Sequence, residues 1–413
     1  VTSTRRRRPT LDDVAGAVGV SRATVSNAYN RPDQLSALLR EQVLRVAKEL
    51  GYAGPNPTAR SLATSRTGAI AVLLDTSLST AFSDPALSVT LDALARVVDP
   101  GGHALLLLPG GDPRGGPPAE RVLAAQADIA VAYSLADGTP ALDAVRERGL
   151  PLVVIDQPLL PGTARIGCQD RLGAALAARH LLELGHRRFG IFAAASRITP
   201  GGGPLTAAQG AAAAFRDTRE RLAGYLEVLA PSAGGAGFGA AGVMGSGAAG
   251  LSTAGVAGGD AADLSTAGVM GGDAAGAASG LAGPGAMAGA ADVVIEEAAG
   301  LSAESAMAGA FALLGRTPRP TALLCMSDQL ALAAIAVARQ LGIRVPEELS
   351  VVGFDDTSVA GWSEPPLTTV RQDLAAKGRI AGELVLRLLA GASPASRDEV
   401  PVELVVRAST ARA

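Results

Sequence analysis

The stretch GVSRATVSNAYN, residues 19 to 30, crowds hydroxyl, guanidinium and carboxamide groups onto a short helix-like segment. None of these is a nucleophile with a base beside it. Their chemistry is hydrogen bonding to a partner rich in donors and acceptors. If Val25 and Ala28 face inward, then Arg22, Ala23, Ser26 and Asn27 point outward from the first turns, as a helix entering a DNA major groove requires. Ser21, Thr24 and Asn30 suit phosphate oxygens, and the helix N-terminus adds its dipole and unpaired amides. An ordinary solvated amphipathic helix is the alternative, and the surroundings decide between them.

Those surroundings agree with DNA binding. Leu11, Val14, Ala15 and Val18 recur at helical spacing behind Thr10, an N-cap, and Gly19 supplies a positive-φ C-cap. Ser21 then caps the next helix. Ala15, Gly19 and Val25 provide the small contact residue, the turn glycine and the apolar residue that a tight helix-turn-helix needs. Thr10 and Leu11, opening the first helix, join the DNA-binding set. A third amphipathic helix follows, with Leu38, Leu39, Gln42, Val43, Val46, Ala47 and Leu50 on one stripe. Residues 1 to 66 hold eleven Arg or Lys against five Asp or Glu, whereas the whole chain has a net charge of −3, so the basic character is local. The tract Arg5 to Arg8 adds unspecific attraction to phosphates.

Several other chemistries are excluded. Only His103, His180 and His186 are present, none at the i, i+4 spacing of a helical metal site, and no metal or other cofactor is expected. Cys168 and Cys325 lie far apart in apolar stretches and read as buried bystanders. GFGAAG (237 to 242) and GSGAAG (245 to 250) match a dinucleotide fingerprint by letter, but they follow a Gly/Ala tract rather than a strand. No P-loop and no nucleophile–base constellation is present, so an enzyme is not expected. No apolar run reaches membrane-spanning length and the basic N-terminus does not lead into a signal core, which places the chain in the cytoplasm, away from membranes.

GPNPTARSLATSRTG (54 to 68) has the punctuation of a linker. Beyond it, AIAVLL (69 to 74), HALLLL (103 to 108), LVVI (152 to 155), FGIF (189 to 192), TALLCM (321 to 326) and SVVGF (350 to 354) alternate with helix-like stretches. That rhythm predicts parallel sheets covered on both faces, in two α/β lobes with a ligand cleft between them. The expected organisation is an all-α helix-turn-helix headpiece over 1–53, a hinge over 54–67, and a two-lobed α/β domain over 68–413. Its first lobe takes about 68–166 and 371–393, its second about 167–370 and 394–413. Residues 231 to 291 break the rhythm with 19 of the 51 glycines and a tandem near-repeat, LSTAGVAGGDAAD then LSTAGVMGGDAAG. Such a segment offers too little side chain to build a core and is expected to be a disordered insertion.

TLDDVAGAVGVSRATVSNAYN, ELGYAGPNPTARSLA, HLLELGHRRFGIF, RLAGY, MSDQLALAA, LSVVGFDD, PPLTTVRQ and ELVVRAST together closely resemble the lactose-repressor/galactose-repressor (LacI/GalR) family of bacterial transcription regulators. The resemblance covers nearly the whole chain outside the insertion. It implies a homodimer on a near-palindromic double-stranded operator and a periplasmic-binding-protein-like domain whose small-molecule effector alters DNA affinity. Arg22, Ala23 and Asn27 fall where the family varies its base-reading side chains. Ala23 offers only a methyl group, and Asn27 stands where arginine is common, so a familiar operator sequence does not follow. Leu62 matches the leucine that the family wedges into the minor groove, with Ala59 as the small residue beside it; an apolar wedge unstacks a base step and bends the duplex.

The resemblance also assigns effector contacts to Asp156, Arg219, Ser327 and Asp355, all but Arg219 just past a strand's carboxyl end. Carboxylates accept paired hydroxyls and an arginine fork donates to oxygens, so a sugar is favoured, with a nucleoside or small acid behind it. Asp356 reads as structural. Phe82, in the loop after the first strand, either stacks on a ligand ring or merely packs. The function implied is an effector-controlled DNA-binding regulator, a repressor. A stand-alone binding protein of the periplasmic type is the alternative, disfavoured by the attached helix-turn-helix. With no heptad helix at the end of the sequence, dimers are expected rather than zipper-joined tetramers.

Overall fold

The computed structural model describes residues 9–54, 66–198, 201–230, 291–300, 302–394 and 397–413. Arg5 to Arg8, Ala59, Leu62 and nearly all of the 231–291 insertion lie outside them.

The N-terminal segment folds as α1 (Leu11–Val18), α2 (Arg22–Asn30) and α3 (Ala37–Leu50). Each begins where a side chain satisfies an orphan amide. Thr10 and Asp13 form a reciprocal capping box, and Ser21 and Ser36 accept from Thr24 N and Leu39 N. Gly19 ends α1 at φ 75°, a left-handed conformation that glycine adopts without steric cost, which is why the turn into α2 is so tight. Val14, Ala15, Val25, Ala28, Val43 and Ala47 form the core of this bundle, with Tyr29 and Tyr52 edge-to-face beside it at 6.1 Å. The stripe expected for α3 is narrower than its sequence suggests. Leu38 is 81 % exposed and Leu50 42 %, because only Val43 and Ala47 lie squarely over α1 and α2.

The α/β region contains two sheets. The first has the order β12-β5-β4-β3-β1-β2, all parallel, from β1 (Ala69–Leu74), β2 (Ala104–Leu108), β3 (Ile129–Tyr133), β4 (Leu152–Ile155), β5 (Ala164–Cys168) and β12 (Arg397–Val400). The second runs β13-β11-β10-β9-β6-β8-β7, from β6 (Arg188–Ala193), β7 (Gly203–Pro204), β8 (Asp292–Glu297), β9 (Ala322–Cys325), β10 (Ser350–Asp355), β11 (Thr368–Gln372) and β13 (Val402–Val405). Here β7 and β13 are antiparallel edge strands on a parallel centre. The inner strands are buried almost end to end, as parallel strands with helices on both faces must be.

Helices α4 (Leu78–Ser83), α5 (Pro85–Val98), α6 (Ala119–Ala124) and α7 (Pro140–Glu147) connect the first sheet's strands. Helices α8 (Asp170–Glu183), α9 (Ala207–Ala211), α10 (Arg216–Leu229), α11 (Ala303–Leu314) and α12 (Asp328–Gln340) belong with the second, and α13 (Leu374–Leu389) returns to pack on α5. Two crossings depend on a missing side chain: a Cβ on Gly224 would strike Arg171 O where α10 meets α8, and one on Gly378 would strike Thr90 O where α13 meets α5.

The chain crosses between the sheets after β5, after β11 and after β12. One expected boundary is therefore wrong in detail. Residues 394–400 were placed with the second lobe, but Arg397–Val400 pairs with Arg165–Cys168 as an edge of the first sheet, and only the residues from 402 onward return. The exposed, charged RDEV segment of β12 has no apolar run to mark it as a strand. At the linker's far end, Asp128 accepts from Thr67 N, Thr67 Oγ1 and Gly68 N, which fixes where β1 begins.

Candidate functional site

On α2, burial of Val25 and Ala28 turns the other faces outward, and Ser21, Arg22, Ala23 and Asn30 are exposed, with Thr24, Ser26 and Asn27 half-buried. The polar side chains are held before any partner arrives. Ser21 Oγ and Thr24 Oγ1 stand 2.8 Å apart, Asn30 Nδ2 donates to Ser26 Oγ (3.2 Å), and Asn27 Nδ2 donates to Gln34 Oε1 (3.2 Å). Arg22 lies 3.7 Å from Asp12 with both side chains mostly in solvent, a weak pair that a phosphate or base edge can replace. Thr10 is the α1 cap and Leu11, partly exposed, packs against the core. Gln34, which orients Asn27, carries no signal in its own sequence neighbourhood.

The second site lies where the carboxyl ends of the two sheets meet. Asp75 follows β1, Tyr133 and Ser134 end β3, Asp156 follows β4, Ser327 follows β9, and Asp355 ends β10. Contacts between the two sides close this region: Arg219 Nη2 to Asp137 Oδ2 (3.0 Å), Asp217 N to Gln157 Oε1 (3.0 Å), and Gln329 Nε2 to Ser83 O (3.1 Å). Ser134, Asp156, Asp355 and Asp356 are the non-glycine residues with positive φ among those described. Each such conformation costs about 1–3 kcal/mol, and such strain gathers where side chains must be aimed at a ligand.

At the centre of the cleft is Arg221. Its Nε donates to Asp170 Oδ1 (2.8 Å), its Nη1 donates to Met326 O and lies 3.7 Å from Asp355 Oδ1, and its guanidinium stacks 3.7 Å over the Phe354 ring. Burial disfavours its charge, but Asp170, Asp355 and Asp217 more than offset that and hold it firmly protonated. Asp355 also accepts from Gln372 Nε2 (2.6 Å). Burial pushes its carboxyl up to about 8 despite the opposing pull of Arg221. Asp156 accepts from Lys377 Nζ (2.6 Å) and Ser134 Oγ (3.4 Å). Lys377 is itself 1 % exposed, so the pair is sealed.

The structure thus brings Asp156 and Asp355 to the strand ends and, of the two arginines of α10, sets Arg221 rather than Arg219 beside Asp355. Arg219 pairs with Asp137 and donates to Ala213 O at the margin, with no contact to Asp355. The choice between the two arginines of TRERLAGY is legible in helical periodicity: Thr218, Arg221, Leu222, Tyr225 and Leu229 are the buried stripe of α10, and Arg219 falls off it. Ser327 is in place, but its hydroxyl caps α12 by accepting from Leu330 N. Its neighbour Asp328, fully buried, binds Thr357 N, Thr357 Oγ1 and Thr369 Oγ1 and ties β9, β10 and β11 together. Phe82 is 72 % exposed at the rim, next to Ser83. Asp356 has the structural role expected, bonded to Arg371 (2.7 Å) and Arg407 (2.6 Å). Arg221, Gln372, Lys377 and Tyr133 were not singled out from the sequence.

Comparison with known proteins matches both the N-terminal and the C-terminal part of the chain. The profile of bacterial regulatory proteins of the lacI family matches residues 10–56, and that of the periplasmic binding protein-like domain matches residues 272–410. The chain is 36 % identical over 386 residues to the HTH-type transcriptional regulator Rv3575c of Mycobacterium tuberculosis, covering 93 % of this chain and 92 % of that one. Among solved structures, it is similar to the transcriptional regulator CelR in complex with cellobiose (TM-score 0.59, 26 % identity, 97 % of this chain and all of that one). It also shares the fold of the Lac repressor dimer bound to operator and an anti-inducer (TM-score 0.67, 24 % identity, 98 % of this chain and all of that one). A helix-turn-helix headpiece joined to a two-sheet effector-type domain, with that similarity along almost its full length, makes this chain a DNA-binding transcriptional regulator, not an enzyme, and it belongs to the lacI family of bacterial regulatory proteins.

Proposed function

We propose that the protein is a cytoplasmic repressor that binds a near-palindromic operator as a homodimer and changes its operator affinity when a carbohydrate occupies the cleft. Residues 1–53 are the headpiece, 54–67 the hinge carrying Ala59 and the wedge Leu62, and 68–413 the effector domain. Ser21, Thr24, Asn30 and the amides opening α1 and α2 position the headpiece on phosphates, while Arg22, Ala23, Ser26 and Asn27 read base edges.

The observation that carries the effector reading is the Arg221 guanidinium, held flat over Phe354 between Asp170 and Asp355 at the strand ends. A fixed fork beside carboxylates donates to ring and hydroxyl oxygens while the carboxylates accept the hydroxyl protons, which is the pattern a sugar satisfies. The similarity to CelR, solved with cellobiose, supports the class. A ligand shared between groups on both sheets shifts their equilibrium arrangement by its differential affinity, typically ~1–3 kcal/mol of coupling, and the hinge conveys that shift to the headpieces.

Selection of bound duplexes from a random pool, followed by titration of the selected operator with protein in the presence of individual sugars, tests the proposal. A two-fold-related consensus and a sugar-dependent change in affinity are expected. An asymmetric consensus would remove the dimeric reading, and an affinity indifferent to every sugar would remove the carbohydrate effector.

A further inference from the structure

Beside the Arg221 cluster the same region holds further carboxylates, in excess of the cations described there. Asp75 accepts from Gly116 N (2.6 Å), Asp84 caps α5 by accepting from Ala86 N and Leu87 N, and Asp217 accepts from Thr218 N (2.7 Å). Two buried cations serve several carboxylates at once: Arg221 bonds Asp170, stands beside Asp355 and acts on Asp217, while Lys377 bonds Asp156 and Gln372. Burial raises Asp75 to about 6 and also raises Asp84 and Asp217, with the charge of Asp217 adding to the effect on Asp75. With Asp84, Asp156, Asp170 and Asp355, the wall around Asp75 and Asp217 is richer in acidic groups than in the cations Arg221 and Lys377, in a desolvated place.

An independent feature marks the same spot as built for a ligand. Gln157 is 1 % exposed; its Oε1 accepts from Asp217 N, yet its Nε2 has no partner. Thr139 is fully buried, and its Oγ1 has no partner either. Its methyl carbon and Asp75 Oδ1 each lie 3.1 Å from where a Cβ on Gly115 would stand, with Ile198 Cγ2 at 3.4 Å from the same point. Gly115, at φ +90°, is the residue that leaves the Asp75 carboxylate uncovered. Buried donors are rarely left unpaired, and two of them flanking two carboxylates await polar atoms from elsewhere.

We propose that Asp75 and Asp217, with Gln157 Nε2 and Thr139 Oγ1, form a second polar wall of the cleft that takes the hydroxyl groups of an uncharged polyol and turns away phosphorylated or carboxylated sugars. Each carboxylate has acceptor capacity left after its backbone bond, Gln157 donates to a hydroxyl oxygen, and Thr139 does either. An added anionic group would sit against a wall with more acidic than basic groups in a medium of low effective dielectric, where like charges repel strongly. The assignment rests on the carbohydrate reading of the cleft and narrows it to a charge class.

The experiment measures binding to the full chain by thermal shift and then calorimetry. The panel is neutral hexoses, disaccharides and polyols, cellobiose included, each beside its phosphate or its uronic or aldonic acid. We expect a neutral compound to bind and its anionic counterpart to bind about 100-fold more weakly or not at all. In D75N and D217N, checked for an unchanged melting profile, that gap shrinks tenfold or more. An anionic sugar binding as well as its neutral parent overturns the charge selection, and this comparison needs no variant. An undiminished gap in both variants overturns the assignment to these residues. Binding of no member of either class overturns the carbohydrate reading itself, a failure distinct from the other two.

Discussion

Asp355 Oδ1 stands 3.7 Å from Arg221 Nη1, too far for a hydrogen bond, while the same guanidinium bonds fully to Asp170 at 2.8 Å. The side of the second sheet thus holds a fork and a carboxyl group side by side with bonding capacity in hand, and a sugar oxygen can use both.

The first prediction separates the two arginines of α10. Arg221→Lys keeps a charge between Asp170 and Asp355 but loses the planar fork, so the effector sugar should bind at least about tenfold more weakly while the protein still folds. Arg221→Ala leaves the buried Asp170 carboxylate uncompensated and should cost about 3–5 kcal/mol of stability. Arg219→Ala breaks the partly exposed pair with Asp137 and one bond to Ala213 O and should cost about 1 kcal/mol, with the sugar response retained. Operator titrations with and without sugar check all three; a lost response in Arg219→Ala would return that residue to the effector site.

How legible these features were depended on whether the sequence signal was local. The helix-turn-helix could be read because caps, turn glycine and apolar spacing all lie within residues 10 to 30, and the structure keeps each of them. The six strands recognised from apolar runs are all present, but β3, IAVAY, was not picked out although it lies between β4 and β1 near the middle of the first sheet. Its alanines make a weak apolar signal that only pairing with neighbours turns into a core strand. The cleft was legible where strand ends supply aspartates. It was not legible where contacts are long-range: Lys377 meets Asp156 only because α13 returns to the first sheet, and Gln372 meets Asp355 only because β11 pairs with β10 in the second.

The second prediction concerns base reading. Asn27→Ala should relax discrimination at one operator position by ~1–3 kcal/mol, because a carboxamide facing a base edge supplies both donor and acceptor. Ser21→Ala should instead weaken all duplexes alike, and by removing the α2 cap it should destabilise the headpiece by about 1 kcal/mol. Binding to the selected operator and its single-base variants at one fixed salt concentration distinguishes them. Equal loss across all variants for Asn27→Ala would assign Asn27 to phosphate contact.

The third prediction is a pH dependence. The Asp355 carboxyl is raised to about 8 in the fold against roughly 3.9 when unfolded. The native state keeps a proton that the unfolded state has lost, so the associated stability is fully present below about pH 4 and is lost as pH rises toward 8. Asp75 and Asp328, each raised to about 6 by burial, add to the decline at its lower end. Melting temperature should therefore fall between pH 6 and pH 8.5, and Asp355→Asn, a permanent mimic of the neutral carboxyl, should flatten that part of the curve. The same slope in wild type and variant would show that Asp355 titrates normally.

The last prediction concerns the hinge. If Leu62 enters the minor groove at the operator centre, it unstacks a base step and bends the duplex, a cost of a few kcal/mol recovered from contacts that only a correctly spaced operator offers. Non-specific duplexes lack that compensation and are held by phosphate attraction alone, whose strength falls steeply with salt. Leu62→Ala should then weaken operator binding tenfold or more, leave non-specific binding within about twofold, and leave the salt slope unchanged, since no phosphate contact is removed. Gel-shift titrations on operator and scrambled DNA at several salt concentrations read all of these quantities. Parallel losses on both DNAs would make Leu62 a packing residue of the hinge rather than a wedge.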